Sequence, residues 1–255
     1  MTAPLKVWQE ADGRLLRLRL SRPKANLIDR AMVAAIEAAL DEHLDRPELT
    51  AVLFDAEGPH FSYGASIQEH RPAEVAPMLA EFHRLVLRLV SSPVIILMAV
   101  HGHCLGGGLE LAAAGHLVFV APDASIGQPE IKLGVFAPTG SCLLPELIGP
   151  ARALDLLASG RSISGSEAVA IGLAREAAPN PEGAALNFFN EHLVSSSASS
   201  LRHAIKAARF DFAARMRSKL AEVERIYLQE LMASRDPVEG LEAFLAKRPP
   251  KWENR

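Results

Sequence analysis

The chain has 255 residues, 49% of them hydrophobic and 22% charged, with a formal net charge of −3. That length supports one medium domain with an appendage, or two small domains, around a sizeable core. A slightly acidic balance gives no electrostatic footprint for nucleic acid over the whole chain.

Residues 1–14, "MTAPLKVWQEADGR", are polar and read as no signal peptide. "LLRLRLS" (15–21) alternates apolar and cationic residues, the pattern of a half-exposed strand, and "RPKAN" (22–26) breaks it. "DRAMVAAIEAALDEHL" (29–44) carries Ala and Leu at helical spacing behind Asp29, an expected N-cap. "TAVLFDAEG" (50–58) reads as a short buried strand, and "FSYGAS" (61–66) as a loop of small residues. Residues 73–91 show a helical period through Met78, Phe82, Leu85 and Leu89. "SPVIILMAVHG" (92–102) is a buried strand with a loop after it; its apolar run is far too short to span a bilayer. "LELAAAGH" (109–116) reads as a helix, "LVFVAP" (117–122) as a strand, and "ASIGQPE" (124–130) as a short strand and turn. The alternation of short strands and helices is that of an α/β protein. Beyond 196 strand signals vanish and three helical segments follow, with Ser or Asp at their starts as expected caps. A boundary near 195 divides a core (1–195) from a helical C-terminal region (196–255). With two cysteines, Cys104 and Cys142, a disulfide scaffold is not indicated, and the chain reads as cytoplasmic.

The stretch "CLGGGLEL" (104–111) poses the chemical question. A dinucleotide fingerprint fails because Leu111 stands where its last glycine belongs, and no lysine completes a phosphate loop. Two readings remain: close packing of a helix start, or exposed N–H groups stabilising a developing oxyanion. "FSYGAS" offers a second such donor at Gly64-Ala65-Ser66. Glu110 falls in the first turn of an apolar helix, and Glu130 follows Pro129 in "GQPEIKLG". A buried carboxylate needs a reason. Two of them can divide acid and base roles if their surroundings separate their pKa values. "HGHC" (101–104) lacks the spacing of a zinc site, and His60 and His116 stand alone, so no metal is expected. Nothing nearby supports Cys104 as a nucleophile.

Taken together, "RPKAN", "FSYGAS", the block from 92 to 134, "LPELIGPARALDLLASGRSISGSEAVAIGLA" (144–174) and "DPVEGLEAFLAKRPPKW" (236–252) resemble the crotonase (enoyl-CoA hydratase/isomerase) superfamily along nearly the whole chain. The resemblance implies a spiral core of ββα units and a C-terminal helical region that builds homotrimers or homohexamers. It implies an acyl-CoA thioester as substrate, with coenzyme A part of that substrate and no separate cofactor. The motif positions make Ala65 and Gly107 the oxyanion-hole donors. Hydratases of the superfamily carry two glutamates, so Glu110 would hold and deprotonate water and Glu130 would protonate the enolate. The family pattern places the CoA near Lys24, Ala25, Ser66, Ile67 and Gln68, with Lys247 reaching a CoA that could belong to a neighbouring subunit.

The chain also departs from the common hydratase pattern. Ser66 replaces an aspartate, Gln68 a frequent lysine, and "FAPTGSCLLP" (136–145) a glycine-rich loop. Tyr63 and Phe136 add bulk beside the acyl site. "FSYGASIQEH" with "KLGVFAPTGSCLLP" is similar to the branch that hydrates cyclohexa-1,5-diene-1-carbonyl-CoA in anaerobic benzoyl-CoA degradation. A general enoyl-CoA hydratase or isomerase acting on linear chains is the alternative, with a hydrolase on the same fold behind it. A non-catalytic RNA- or partner-binding protein is remote, because the charge and the intact glutamates oppose it.

Overall fold

Leu5–Glu10 (β1) and Leu15–Leu20 (β2) pair antiparallel and open the chain. β1 escapes notice in the sequence because it is an edge strand with only Leu5 fully buried. The expectation of a half-exposed β2 is corrected. Arg17 is 2% exposed, its guanidinium bonded to Asp55 at 2.5 Å, to Glu10 at 2.9 Å and to Glu182. Alternation with cations therefore marks a buried ion network rather than a wet face.

The computed structural model describes residues 3–255. After β2 come α1 (Arg30–His43), β3 (Ala51–Ala56) and α2 (Val75–Val90). Asp29 caps α1 as expected, accepting from Met32 N at 2.8 Å. Two ββα turns follow: β4 (Ile95–Val100), β5 (His103–Leu105) and α3 (Gly107–Ala114), then β6 (Leu117–Val120), β7 (Ser125–Gly127), a 3-10 turn (Pro129–Leu133) and α4 (Pro138–Ile148). The chain continues through α5 (Pro150–Ser159), β8 (Ser162–Ser164), α6 (Gly165–Ala170), β9 (Glu176–Ala177) and α7 (Pro181–Phe188). It ends with α8 (Ala198–Arg225) and α9 (Asp236–Leu245).

Each ββα turn gives one strand to each of two sheets. The larger has the order β1-β2-β3-β4-β6-β9 and the smaller β5-β7-β8. β2, β3, β4, β6 and β9 run parallel, so each connection crosses over and the chain advances as a spiral, as the resemblance implies. The main core packs Leu16, Phe54, Ile96 and Met98 of the larger sheet against α1, α2 and α3, and takes in Met216 and Leu220 of α8.

The C-terminal helices number fewer than the sequence pattern suggests. The first two segments form one 28-residue helix, α8, whose N-cap is Ser197. Asp211 is no cap; it lies inside α8 and pairs with Arg215 one turn on. Asp236 begins α9, but its carboxylate accepts from Glu253 N and Asn254 N and so ties down the C-terminal tail. No helix among the described residues is long and apolar enough to cross a membrane.

Candidate active site

β5 and β7 of the smaller sheet and the segments flanking β5 run as parallel tracks that end together, with β8 antiparallel beside β7. Tyr63 N donates to Ala25 O and Ile28 N to Gly64 O, so the 22–28 segment lies beside the 61–66 loop. That loop lies beside β5, with Ser62 N donating to His103 O and Leu105 N to Ser62 O. β5 pairs with β7 in the register Leu105↔Gly127, and Gly106 N donates to Gly127 O. The register fixes the chemistry. Ala65 ends one track, Gly106-Gly107 the next, and Gln128-Pro129-Glu130 the third.

The three glycines answer different demands. Gly106 has φ +53, and a Cβ there would lie 2.5 Å from Glu130 Oε1. A Cβ on Gly107 would meet Ala65 N at 3.1 Å, and one on Gly108 would meet Ser62 Cβ at 2.7 Å. Close packing and donor exposure thus hold together: the packing brings the N–H groups of Ala65 and Gly107 side by side. Neither N–H has an acceptor among the described residues. Two neighbouring N–H groups without acceptors are what an oxyanion hole would require.

Both carboxyls face the same cavity of about 320 Å³, which is also lined by Ala65, Gly107, Tyr63, Ile67, Gln68 and Phe136. Glu110 is 5% exposed, in the first turn of α3. Its Oε1 accepts from Gly140 N at 2.7 Å, an N–H that the start of α4 leaves free. Burial pushes the Glu110 carboxyl up; the N–H groups of Gly140 and Thr139 and the charge of His83 pull against that. Glu130 is pushed up to about 8 by burial and by the neighbouring charge of Glu110. With its amide nitrogen turned to the carboxyl, Gln128 donates to both Glu130 oxygens, at 3.0 and 3.1 Å. The two carboxyls titrate as a pair, and Glu130 is the partner without a cation.

Four of the residues expected around coenzyme A lie outside the cavity wall. Lys24 is exposed on its loop with φ +89, and Ala25 is half-buried with its carbonyl on Tyr63 N. Ser66 is buried and donates to Gln68 Oε1 at 3.1 Å. Lys247 is exposed just beyond α9. Tyr63 is 42% exposed at the mouth, its ring 5.0 Å from those of both His60 and His103. His101 Nε2 pairs with Gly58 O, the His103 backbone N–H donates to His60 Nδ1, and Cys104 is buried, while His103 Nδ1 is buried without a partner among the described residues.

Sequence reasoning missed several members of the site. Gln128 and Gly140 stand inside quoted motifs, yet nothing in their spacing says that an amide or an N–H would face a carboxyl. Cys142, within the stretch that replaces the glycine-rich loop, is buried and does not line the cavity. Leu241, Phe244 and Leu245 of α9 complete the wall, a contribution legible only as the apolar stripe of a C-terminal helix.

With this geometry in hand, comparison with known proteins is specific. The family model for enoyl-CoA hydratase/isomerase matches residues 10–255. A cyclohexa-1,5-dienecarbonyl-CoA hydratase of Thauera aromatica is 61% identical over 254 residues, covering 100% of this chain and 98% of the relative. A probable enoyl-CoA hydratase of Bacillus subtilis is 34% identical, covering 92% and 94%. Among solved structures, an enoyl-CoA hydratase from Mycobacterium avium subsp. paratuberculosis superposes with a TM-score of 0.86 at 24% identity, over 100% of both chains. The chain belongs to the enoyl-CoA hydratase/isomerase family, and its spiral of ββα units with a helical C-terminal region is the crotonase fold.

Proposed function

We propose that this family member adds water to an α,β-unsaturated acyl-CoA, and that its substrate is cyclohexa-1,5-diene-1-carbonyl-CoA. The observation that carries the reaction is the convergence of two carboxyls and two unpaired N–H groups on one cavity. The substrate rests on the Thauera relative and on the bulk of Tyr63 and Phe136, which suits a flat ring.

The thioester oxygen sits between the N–H groups of Ala65 and Gly107. Glu110 takes a proton from water as its oxygen bonds to the β carbon. The displaced electron pair moves onto the thioester oxygen, where the two donors meet the growing charge without reorganising; such a donor is worth about 10²–10³ in rate. Glu130, still protonated, returns a proton to carbon and the thioester carbonyl re-forms. In a cross-conjugated ring diene the enolate extends through the second double bond. Protonation at its far end leaves 6-hydroxycyclohex-1-ene-1-carbonyl-CoA.

The CoA chain leaves past Tyr63 and Gln68, with Lys24, Ala25, Ser66 and Ile67 beside its nucleotide. Lys247 reaches a CoA of its own copy or of a neighbour. The helical region from 196 onward joins copies into a trimer or a dimer of trimers. Phe210 on α8 and Phe244 on α9, 74% and 54% exposed, supply apolar surface for it. Light scattering of the purified chain reads the assembly.

The deciding test is a substrate panel of the cyclic diene and crotonyl-CoA, followed by loss of absorbance and by product mass in ¹⁸O-water. Faster turnover of the diene, with one solvent oxygen retained in an intact CoA ester, is expected. Faster turnover of crotonyl-CoA makes the chain a general hydratase. A shifted double bond without solvent oxygen makes it an isomerase.

A further inference from the structure

The wall that α9 gives to the cavity has no polar fastening to the body of the molecule. Leu241, Phe244 and Leu245 line the cavity. Yet among the described residues no hydrogen bond or ion pair joins residues 236–255 to anything before Arg235. Packing holds this terminal unit in place, and it does so where α9 meets the turn that carries Glu130.

A Cβ on Gly240 would lie 2.0 Å from Leu133 O, so α9 and the Pro129–Leu133 turn meet backbone to backbone. The same Cβ would lie 3.0 Å from Trp252 Cη2, and one on Gly134 would lie 2.9 Å from Trp252 Cζ3. Those two ring atoms are bonded neighbours. One edge of the indole therefore fills the space that both glycines leave, across the seam between α9 and the turn. The tail is built to bring the ring there. Lys247 N donates to Phe244 O and Arg248 N to Ala243 O, the pattern of a Schellman turn, with Lys247 in the left-handed region at φ +51. The chain reverses at that point and runs back along α9. Glu239 accepts from the Arg248 guanidinium at 2.6 and 2.8 Å and from Lys251 N at 2.7 Å. Asp236 accepts from Glu253 N at 2.7 Å and Asn254 N at 2.9 Å. Trp252 sits between these two anchors, neither of which lines the cavity. The tail is thus tied to its own helix, and through Trp252 it bears on the Glu130 turn.

Resting on the hydratase reading, we propose that Trp252 is a positioning residue for substrate choice: it holds α9 on the Glu130 turn and so fixes the wall formed by Leu241, Phe244 and Leu245. The indole does not line the cavity and acts through that wall. With the wall held, a cavity of about 320 Å³ takes a compact acyl group, a ring or a short chain. With the wall released, the cavity widens and long linear enoyl-CoA esters enter.

The test is kcat and KM of the intact chain on the cyclic diene, crotonyl-CoA and a ten-carbon linear 2-enoyl-CoA. The readout is the ratio of kcat/KM for the ten-carbon ester to that for the compact ester the wild type hydrates best. In W252A this ratio rises about tenfold or more, mainly through a lower KM for the long ester. Lost stability alone removes active molecules and scales every substrate alike, so it leaves the ratio unmoved. W252F keeps a flat ring at the seam and holds the ratio within about threefold of the wild type. D236A frees the tail without altering the ring and moves the ratio the same way by less. A ratio within about twofold of the wild type in both W252A and D236A, each with wild-type circular dichroism, overturns the proposal and leaves the hydratase reading standing. A wild type that hydrates no member of the panel overturns the reading beneath it. Should W252A fail to fold, D236A alone decides by the same ratio.

Discussion

The two sheets of this molecule divide labour. The larger has strands of up to six residues, fully buried in β3, and its side chains make core. The smaller has three strands of three residues each, yet the Gly107 donor and both carboxyls lie within five residues of its strand ends, and the Ala65 donor ends a track bridged to it. A long parallel sheet is an efficient way to bury apolar area. Short strands in fixed register are an efficient way to end several backbone tracks at one point, where polar groups from different loops can meet. If this division is real, substitutions at the small sheet should remove rate without stability, and those in the large sheet stability without rate.

The largest effect is expected from the carboxyls. Glu110→Gln and Glu130→Gln keep volume and shape but lose the proton-transferring group, so each should cut turnover about 10²–10⁴-fold. Thermal midpoints should hold or rise, because a carboxyl held away from its ordinary ionisation is replaced by a neutral amide. Turnover and melting curves on one preparation check both halves, and a rate loss that tracks unfolding would break the comparison. Next comes Gly108→Ala. Its Cβ would meet Ser62 Cβ at 2.7 Å and force apart the tracks that carry Ala65 and Gly107. Displacing one oxyanion donor should cost about 10²-fold in kcat, with a smaller change in KM. Steady-state kinetics decide it, and a change confined to KM would move the glycine's role to binding. Leu97→Ala, at a fully buried position of β4, should do the reverse. It should lose about 2–5 kcal/mol of stability while the rate per folded molecule stays put. Denaturant titration alongside active-site counting reads it.

These expectations differ in how far the sequence alone could have supplied them. The helices and the buried strands of the large sheet are written as periodicity, and Asp29 and Ser197 behave as the caps they resemble. β5 was not legible, because three residues carry no period and its pairing is set by β7, twenty-two residues further on. β1 and β2 misled in opposite ways: an edge strand looked like polar tail, and a buried Arg17 looked exposed, since sequence does not show that Asp55 and Glu182 wait for it. At the site, Glu110 and Glu130 could be paired by motif, and the glycines marked a close approach. The groups that hydrogen-bond the two carboxyls could not, for the Gly140 N–H and the Gln128 amide come from separate segments that only the spiral assembles.

The smallest effect tests the burial of Glu130 without using substrate. Its carboxyl sits at about 8 in the folded chain, against an ordinary value near 4.5. Between those values the folded chain keeps a proton that the unfolded chain has shed. Proton binding is then greater in the native state, so stability falls as pH rises through this window and levels off above it. Glu130→Gln has no proton to lose and flattens that part of the slope. The thermal midpoint of the variant should therefore match the wild type near pH 5, exceed it increasingly toward pH 8, and gain nothing further at pH 9. Glu110 is raised by burial too, against the pull of His83 and the N–H groups of Gly140 and Thr139, so Glu110→Gln should change the slope in the same direction. Equal slopes for the two variants would mean that the carboxyls share one environment. Their division into acid and base would then have to come from the bound substrate rather than from the fold.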